Sequence, residues 1–167
     1  MRYFFFGTLL DAELRAVVLG RELPESALGL AFLRDHARYC VAGEAFPLLV
    51  AEPGARVDGV LAEGIGPAEA ARIAWYESDE YEIRETAVQT ADGQATEAFC
   101  CLAGAAARHD GIAWDFAHWQ RHDRAFALLL AHDWMGQFGS ADVDLAERNY
   151  QRRKRRLLGG GAATGAG

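Results

Sequence analysis

Tyr3-Phe4-Phe5-Phe6 is an unbroken aromatic run that stops at Gly7-Thr8. It predicts a strand over 2–6, a turn, and then a short helix with Asp11 as N-cap and Leu14, Val17, Val18 and Leu19 as its apolar positions. Four short apolar or alternating runs follow, at 27–33, 38–42, 48–51 and 56–63, punctuated by Gly29, Gly43, Pro47, Pro53-Gly54 and Gly64. Each reads as a sheet strand. Pro67 sits at the first position of a helix over 68–76, in which Ala70, Ile73, Ala74 and then Glu77 keep helical spacing, so Glu77 falls near the helix C-terminus. Alternating strands over 81–90 and 95–103 are joined through Ala91-Asp92-Gly93, where Asp-Gly is a hairpin signal. This pattern gives about seven strands with two short helices interleaved, for which a closed or strongly curved sheet is more economical than a doubly wound one.

From Trp114 the periodicity becomes helical, through Phe116, Trp119, Phe126, Leu129, Leu130, Trp134 and Phe138, and Gly139 closes the segment. A second helix is expected from Asp142 to about Arg156. The stretch 159–167 is glycine- and alanine-rich and has no side chains able to join a core, so a disordered tail is expected there. The domain division that follows is a barrel with its C-terminal helix over 1–139, a basic helix over 140–158 and the tail over 159–167.

The 167 residues suffice for one substantial core without disulfides or metal. Hydrophobic residues at 51% and charged residues at 25% are ordinary globular usage, which excludes disorder and fibrous architecture. Nowhere do about 18 uncharged apolar residues follow one another, and the opening apolar run is too short for a signal peptide, so a cytoplasmic location and no membrane partner are expected. Cys40, Cys100 and Cys101 are odd in number and lack metal-ligand spacing. Buried free thiols are the expectation, with Cys100 and Cys101 on opposite faces of one strand.

Net charge is -7, but it is unevenly placed: Arg148, Arg152, Arg153, Lys154, Arg155 and Arg156 give the last twenty residues +6 and leave 1–147 at -13. A body this acidic argues against a broad nucleic-acid-binding face, which needs clustered cations. The basic run itself suits a helix C-terminus by charge–dipole attraction and leaves an anionic partner as the alternative.

Two constellations bear chemistry. At Phe6-Gly7-Thr8-Leu9 a glycine ends a buried strand, where successive backbone N–H groups can turn toward a carboxylate or oxyanion, although an ordinary strand-to-helix turn has the same pattern. At the junction Trp75-Tyr76-Glu77-Ser78-Asp79-Glu80-Tyr81, four acidic residues crowd together if Glu82 is included, and most read as a solvated face. Glu77 differs because it follows two aromatic residues on the helix, and a carboxyl held against rings has its proton affinity raised, which suits a general acid/base.

The order of these pieces resembles the gamma-glutamylcyclotransferase family, including its avirulence-induced plant relatives and the gamma-glutamylamine cyclotransferases. Phe6-Gly7-Thr8-Leu9, Phe46-Pro47, Val57-Asp58-Gly59-Val60-Leu61, Ile73-Ala74-Trp75-Tyr76-Glu77-Ser78 and then Tyr81, Arg84 and Val88 carry the resemblance, which spans about residues 3 to 103. The chain departs from that pattern at Phe6 and Phe46, where the family has tyrosines, and at Ser78, where it has glycine. The resemblance implies an α+β fold, a mixed β-barrel with flanking and C-terminal helices. It further implies a transferase of the acyltransferase kind that acts by intramolecular cyclisation of a small gamma-glutamyl amine or amino acid, releasing 5-oxoproline. Glu77 would be the general acid/base; Phe6, Gly7, Thr8, Leu9, Phe46, Pro47 and Tyr81 would hold substrate; and no metal or organic cofactor would be required. The alternative is a non-catalytic small-molecule-binding or interaction protein on the same barrel.

Two groupings stand outside that reading. Asp115, His118 and His122 share a helical face with a spacing that could chelate zinc, or form the wetted side of an amphipathic helix. Residues 148–156 lie beyond the matching stretch and are expected to be dispensable for catalysis.

Overall fold

All four residues of the aromatic run, Tyr3 to Phe6, are at most 5% exposed, because the strand they form is covered on both sides. Phe4 and Phe6 enter one core while Tyr3 and Phe5 enter another. Burial of both faces is the reason that the run shows no polar alternation. The computed structural model describes residues 1–78, 81–104 and 107–159.

The elements in chain order are β1 (Tyr3–Phe5), a 3-10 turn (Thr8–Leu10), α1 (Ala12–Leu19), a second 3-10 turn (Glu25–Ala27), β2 (Leu28–Val41) and β3 (Pro47–Ala62). They continue with α2 (Pro67–Glu77), β4 (Tyr81–Thr90), β5 (Ala95–Ala103), β6 (His109–Ala113), α3 (Phe116–His122), α4 (Arg124–Met135) and α5 (Val143–Gly159). Strands run in the order β3-β1-β5-β4-β2, and β2 pairs back onto β3, which closes a five-stranded barrel. The β1–β5 pairing is parallel and the others are antiparallel, so the barrel is mixed, with helices around it. The α+β barrel expected from the sequence is the fold observed.

Strand boundaries differ from the sequence reading in one instructive way. The runs at 27–33 and 38–42 are one strand, and so are those at 48–51 and 56–63; Arg34 pairs with Arg56 and then His36 with Ala51. Pro53-Gly54 is therefore a bulge inside β3. It lies opposite Asp35, which adopts φ 56° and accepts the Gly54 N–H at 2.8 Å. β6 went unread because all five of its residues are exposed; it pairs with β2 at Tyr39↔Ala113 and Val41↔His109, outside the barrel. The single helix expected from Trp114 to Phe138 is two, divided at Asp123, and the division aims Arg124 at α1.

The barrel interior is filled by Phe4, Leu33, Val57, Leu61, Val88 and Cys100 with their neighbours. The second core lies between the barrel wall and the helices and holds Tyr3, Phe5, Leu14, Ile73, Trp119 and Trp134. Cys100 and Cys101 divide between the two, as alternation along β5 requires. Trp134 Nε1 donates to the Trp75 carbonyl at 2.9 Å, tying α4 to α2. α5 docks on this layer through Ala146, which is fully buried, and Tyr150, edge-on to Trp134 at 5.6 Å. Arg153 meets Asp133 at 2.7 Å along the same seam, so the basic run is used in part against the acidic body. The tail expected over 159–167 lies, beyond Gly159, outside the described residues. Among the described residues no helix is long and apolar enough to cross a membrane.

Asp11 locks α1 to α4. Its carboxylate accepts the Leu14 N–H at 3.0 Å as an N-cap and takes Arg124 Nε at 2.7 Å, while the residue is only 5% exposed. Burial raises its pKa, but the Arg124 hydrogen bond, the Leu14 N–H and the Arg124 charge outweigh it, so the carboxyl titrates below the usual aspartate value. A folded pKa below the unfolded one gives stability that is present above about pH 4 and is lost as pH falls through the folded pKa. Asp11→Asn keeps the cap and removes the charge pair. It is expected to cost about 1–2 kcal/mol near pH 7, and thermal melts of both proteins should converge as pH is lowered toward 3. A melting gap that persists undiminished in acid would assign Asp11 a role in packing alone.

Candidate functional site

The turn after β1 is held from outside by two guanidinium groups. Arg38 Nη1 donates to the Phe6 carbonyl at 2.7 Å, and Nη1 of Arg15, a residue 7% exposed, donates to the Leu9 and Leu10 carbonyls at 3.0 and 3.2 Å. Leu10 N–H and Asp11 N–H donate to the Gly7 and Thr8 carbonyls at 3.0 Å each. A 3-10 turn gives its first amides no partner within itself. Position 7 must be glycine for a contact reason: a Cβ there would come within 2.8 Å of Pro47 Cγ.

That proline belongs to the loop entering β3, which is pinned from two sides. Tyr81 Oη donates to the Pro47 carbonyl at 2.8 Å, and Trp114 Nε1 donates to the Ala45 carbonyl at 2.9 Å. The β1 turn, the 44–47 loop and the end of α2 then surround a cavity of about 190 Å³. Phe6, Gly7, Thr8, Leu9, Phe46, Pro47, Glu77 and Tyr81 all line it, so the structure brings together the eight residues that the family resemblance pointed to. Phe6 also packs in the barrel interior, its ring stacked on Phe4 at 6.4 Å, where a phenylalanine needs no polar partner.

Glu77 is half-buried at the last position of α2. The Cys101 thiol hydrogen-bonds to it, and burial together with the Glu77 charge holds that thiol well above its ordinary pKa. Burial and the same carboxylate push Cys100 up to about 12. Both sulfurs stay protonated near neutral pH, which makes Cys101 a donor to Glu77 and neither thiol a nucleophile. Tyr76 links the carboxylate to the turn. Burial raises its phenol above the usual value, a hydrogen bond with Thr8 opposes that rise, and the charges of Glu77 and Tyr150 add to it. Asp79 and Glu80 of the acidic junction lie outside the described residues.

Ser78, next after Glu77, has φ 50° and ψ -154°, a conformation that favours glycine. Ser78→Gly is expected to relieve about 1 kcal/mol of strain and raise the melting temperature by roughly 2–4 °C. A lower melting temperature would show that the serine side chain holds the junction.

Sequence reasoning missed the far wall. α3 and α4 contribute Trp119, Asp123 and Leu130, and α5 contributes Glu147, Tyr150, Gln151 and Lys154. Residues 148–156, expected to be dispensable for catalysis, nonetheless supply part of the lining: docking of α5 on α4 turns Tyr150, Gln151 and Lys154 onto the cavity. Lys154 Nζ lies 2.6 Å from both carboxylate oxygens of Glu44. The zinc pattern is not assembled, since Asp115 Oδ1 accepts the His118 N–H at 2.6 Å as the cap of α3. Among the described residues no group of His, Cys, Asp and Glu could hold a metal ion.

Residues 3–121 match the sequence profile of the family described as "Gamma-glutamyl cyclotransferase, AIG2-like". No curated protein matches the chain by sequence. Among solved structures, two proteins of Arabidopsis thaliana determined in solution are similar in fold. One superposes with TM-score 0.59 at 17% identity over 96% of this chain and 92% of its own, and the other with TM-score 0.57 at 20% identity over 99% and 87%. A crystal structure of an uncharacterized Homo sapiens protein gives TM-score 0.51 at 18% identity, covering 65% of this chain and 68% of its own.

Proposed function

The chain belongs to the gamma-glutamyl cyclotransferase, AIG2-like family, and from that premise we propose that it is an acyltransferase that cyclises a gamma-glutamyl amine or amino acid to 5-oxoproline. The observation that supports this most is that Glu77 and the Gly7-Thr8-Leu9 turn, about 70 positions apart, line one cavity and are linked through Tyr76. Both ends of the reaction belong to one small molecule, so its base and its oxyanion donors must face a common space.

The substrate α-ammonium gives a proton to Glu77, and the freed nitrogen attacks the γ-carbonyl carbon. As the new C–N bond forms, the carbonyl electron pair moves onto oxygen, where the amides of the β1 turn stabilise the developing charge. Collapse of that oxyanion breaks the original C–N bond as Glu77 returns the proton to the departing amine, and the second proton of the new ring nitrogen then passes through the Glu77 carboxylate to that amine, which leaves as an ammonium. Cys101 keeps the carboxylate oriented. Tyr81 and Arg38 fix the pieces of the wall, and Phe6, Phe46 and Pro47 give it an apolar surface that excludes water. On this reading residues 1–139 are the catalytic unit, and α5 covers its mouth.

The test is incubation with gamma-glutamyl amines, gamma-glutamyl amino acids and glutathione, assaying 5-oxoproline. Release from at least one is the expected result; a folded protein that binds a panel member and converts none would be a binding module.

A further inference from the structure

Of the 17 basic residues in the chain, 16 are arginine, and the single lysine is Lys154. That lysine faces the cavity, with its side chain 18% exposed, whereas its helix neighbours Arg152, Arg153, Arg155 and Arg156 are exposed. Its partner Glu44 also lines the cavity, three residues before the Pro47 that packs against Gly7. The loop carrying Glu44 is fixed by Tyr81 and Trp114, so the ammonium is held at a set place on the wall. Its described hydrogen bonds go to the two Glu44 oxygens. An ammonium has three donors, and Lys, unlike the planar Arg fork, directs them as a compact point charge. Tyr150 and Gln151 bring a phenol and an amide to the same wall.

We propose that Lys154 is a specificity-determining residue, the carboxylate-binding group of this cavity, oriented by Glu44. The inference rests on the reading of the cavity as a gamma-glutamyl site. Such substrates offer a carboxylate from two sources, the glutamyl α-carbon and, where the leaving group is an amino acid, that amino acid. Lys154 binds one of them, and α5 thereby takes part in substrate choice although it lies beyond the residues matched to the family.

Calorimetric titration of gamma-glutamylalanine and gamma-glutamylethylamide into wild type, Lys154→Met and Lys154→Arg tests this. Loss of a charge-assisted hydrogen bond in a partly buried site predicts a Kd raised about tenfold or more in Lys154→Met, partly restored in Lys154→Arg. Weakening on gamma-glutamylalanine alone assigns the leaving-group carboxylate, and weakening on both ligands assigns the glutamyl carboxylate. Unchanged affinity for both in a folded variant overturns the proposal, as does failure of wild type to bind either. Should the variants not fold, acylation of wild type with an amine-specific reagent answers instead: gamma-glutamylalanine is expected to slow modification of Lys154 and not of the N-terminus, and no protection overturns the proposal. Lys154-dependent binding without 5-oxoproline would refute the cyclisation and leave this site standing; turnover with Lys154-independent binding would do the reverse.

Discussion

Exchange of Glu77 for glutamine is expected to lower turnover of a good gamma-glutamyl substrate by about a hundredfold to ten-thousandfold, with Kd changed by less than about threefold. Glutamine keeps the size of the side chain and an oxygen for the Cys101 thiol, but it cannot take the proton of the substrate ammonium at neutral pH. The attacking nitrogen then stays protonated and has no lone pair. Since Glu77 is only half-buried and ends its helix, the exchange should leave the melting temperature nearly unchanged. Single-turnover kinetics with calorimetry separates the two effects. A variant that turns over within a few-fold of wild type would remove Glu77 from the mechanism.

Gly59→Ala is expected to cost at least about 3 kcal/mol, a fall of roughly 6–12 °C in melting temperature. A Cβ at this position would lie 2.4 Å from the Phe5 carbonyl oxygen and 2.7 Å from two atoms of the Phe4 ring. Neither neighbour can yield, because β1 is buried on both faces and sits between β3 and β5. The displaced strand is the one that feeds the Gly7-Thr8-Leu9 turn, so activity should fall with stability. Gly29, on β2, has open space where a Cβ would stand, and Gly29→Ala should be near neutral in the same melts. Equal, small effects at both glycines would contradict the close packing of β1 on β3.

What was legible in the sequence was what local chemistry dictates. The Asp11 cap, Pro67 at the start of α2 and the Asp92-Gly93 turn, with Gly93 at φ 82°, each act over three or four residues and left their marks in composition. The near half of the candidate site was legible for the same reason, since Phe6-Gly7-Thr8-Leu9, Phe46-Pro47 and Tyr76-Glu77 are contiguous motifs that line one cavity. Long-range features were not legible. Pro53-Gly54 resembles a turn between strands until Asp35 is seen to accept the Gly54 N–H across the ladder. Exposed β6 has no apolar face to announce it. Lys154 looked like one charge in a basic run, and only the docking of Tyr150 on Trp134 shows which way it turns.

The central claim is that the γ-carbonyl is attacked by the substrate's own amine and not by water. Turnover in water labelled with heavy oxygen, with products resolved by mass spectrometry, tests it most directly. The account predicts 5-oxoproline free of the label and an equimolar amount of released amine. Glutamate carrying the label in its γ-carboxylate would contradict it and make this cavity a hydrolase site.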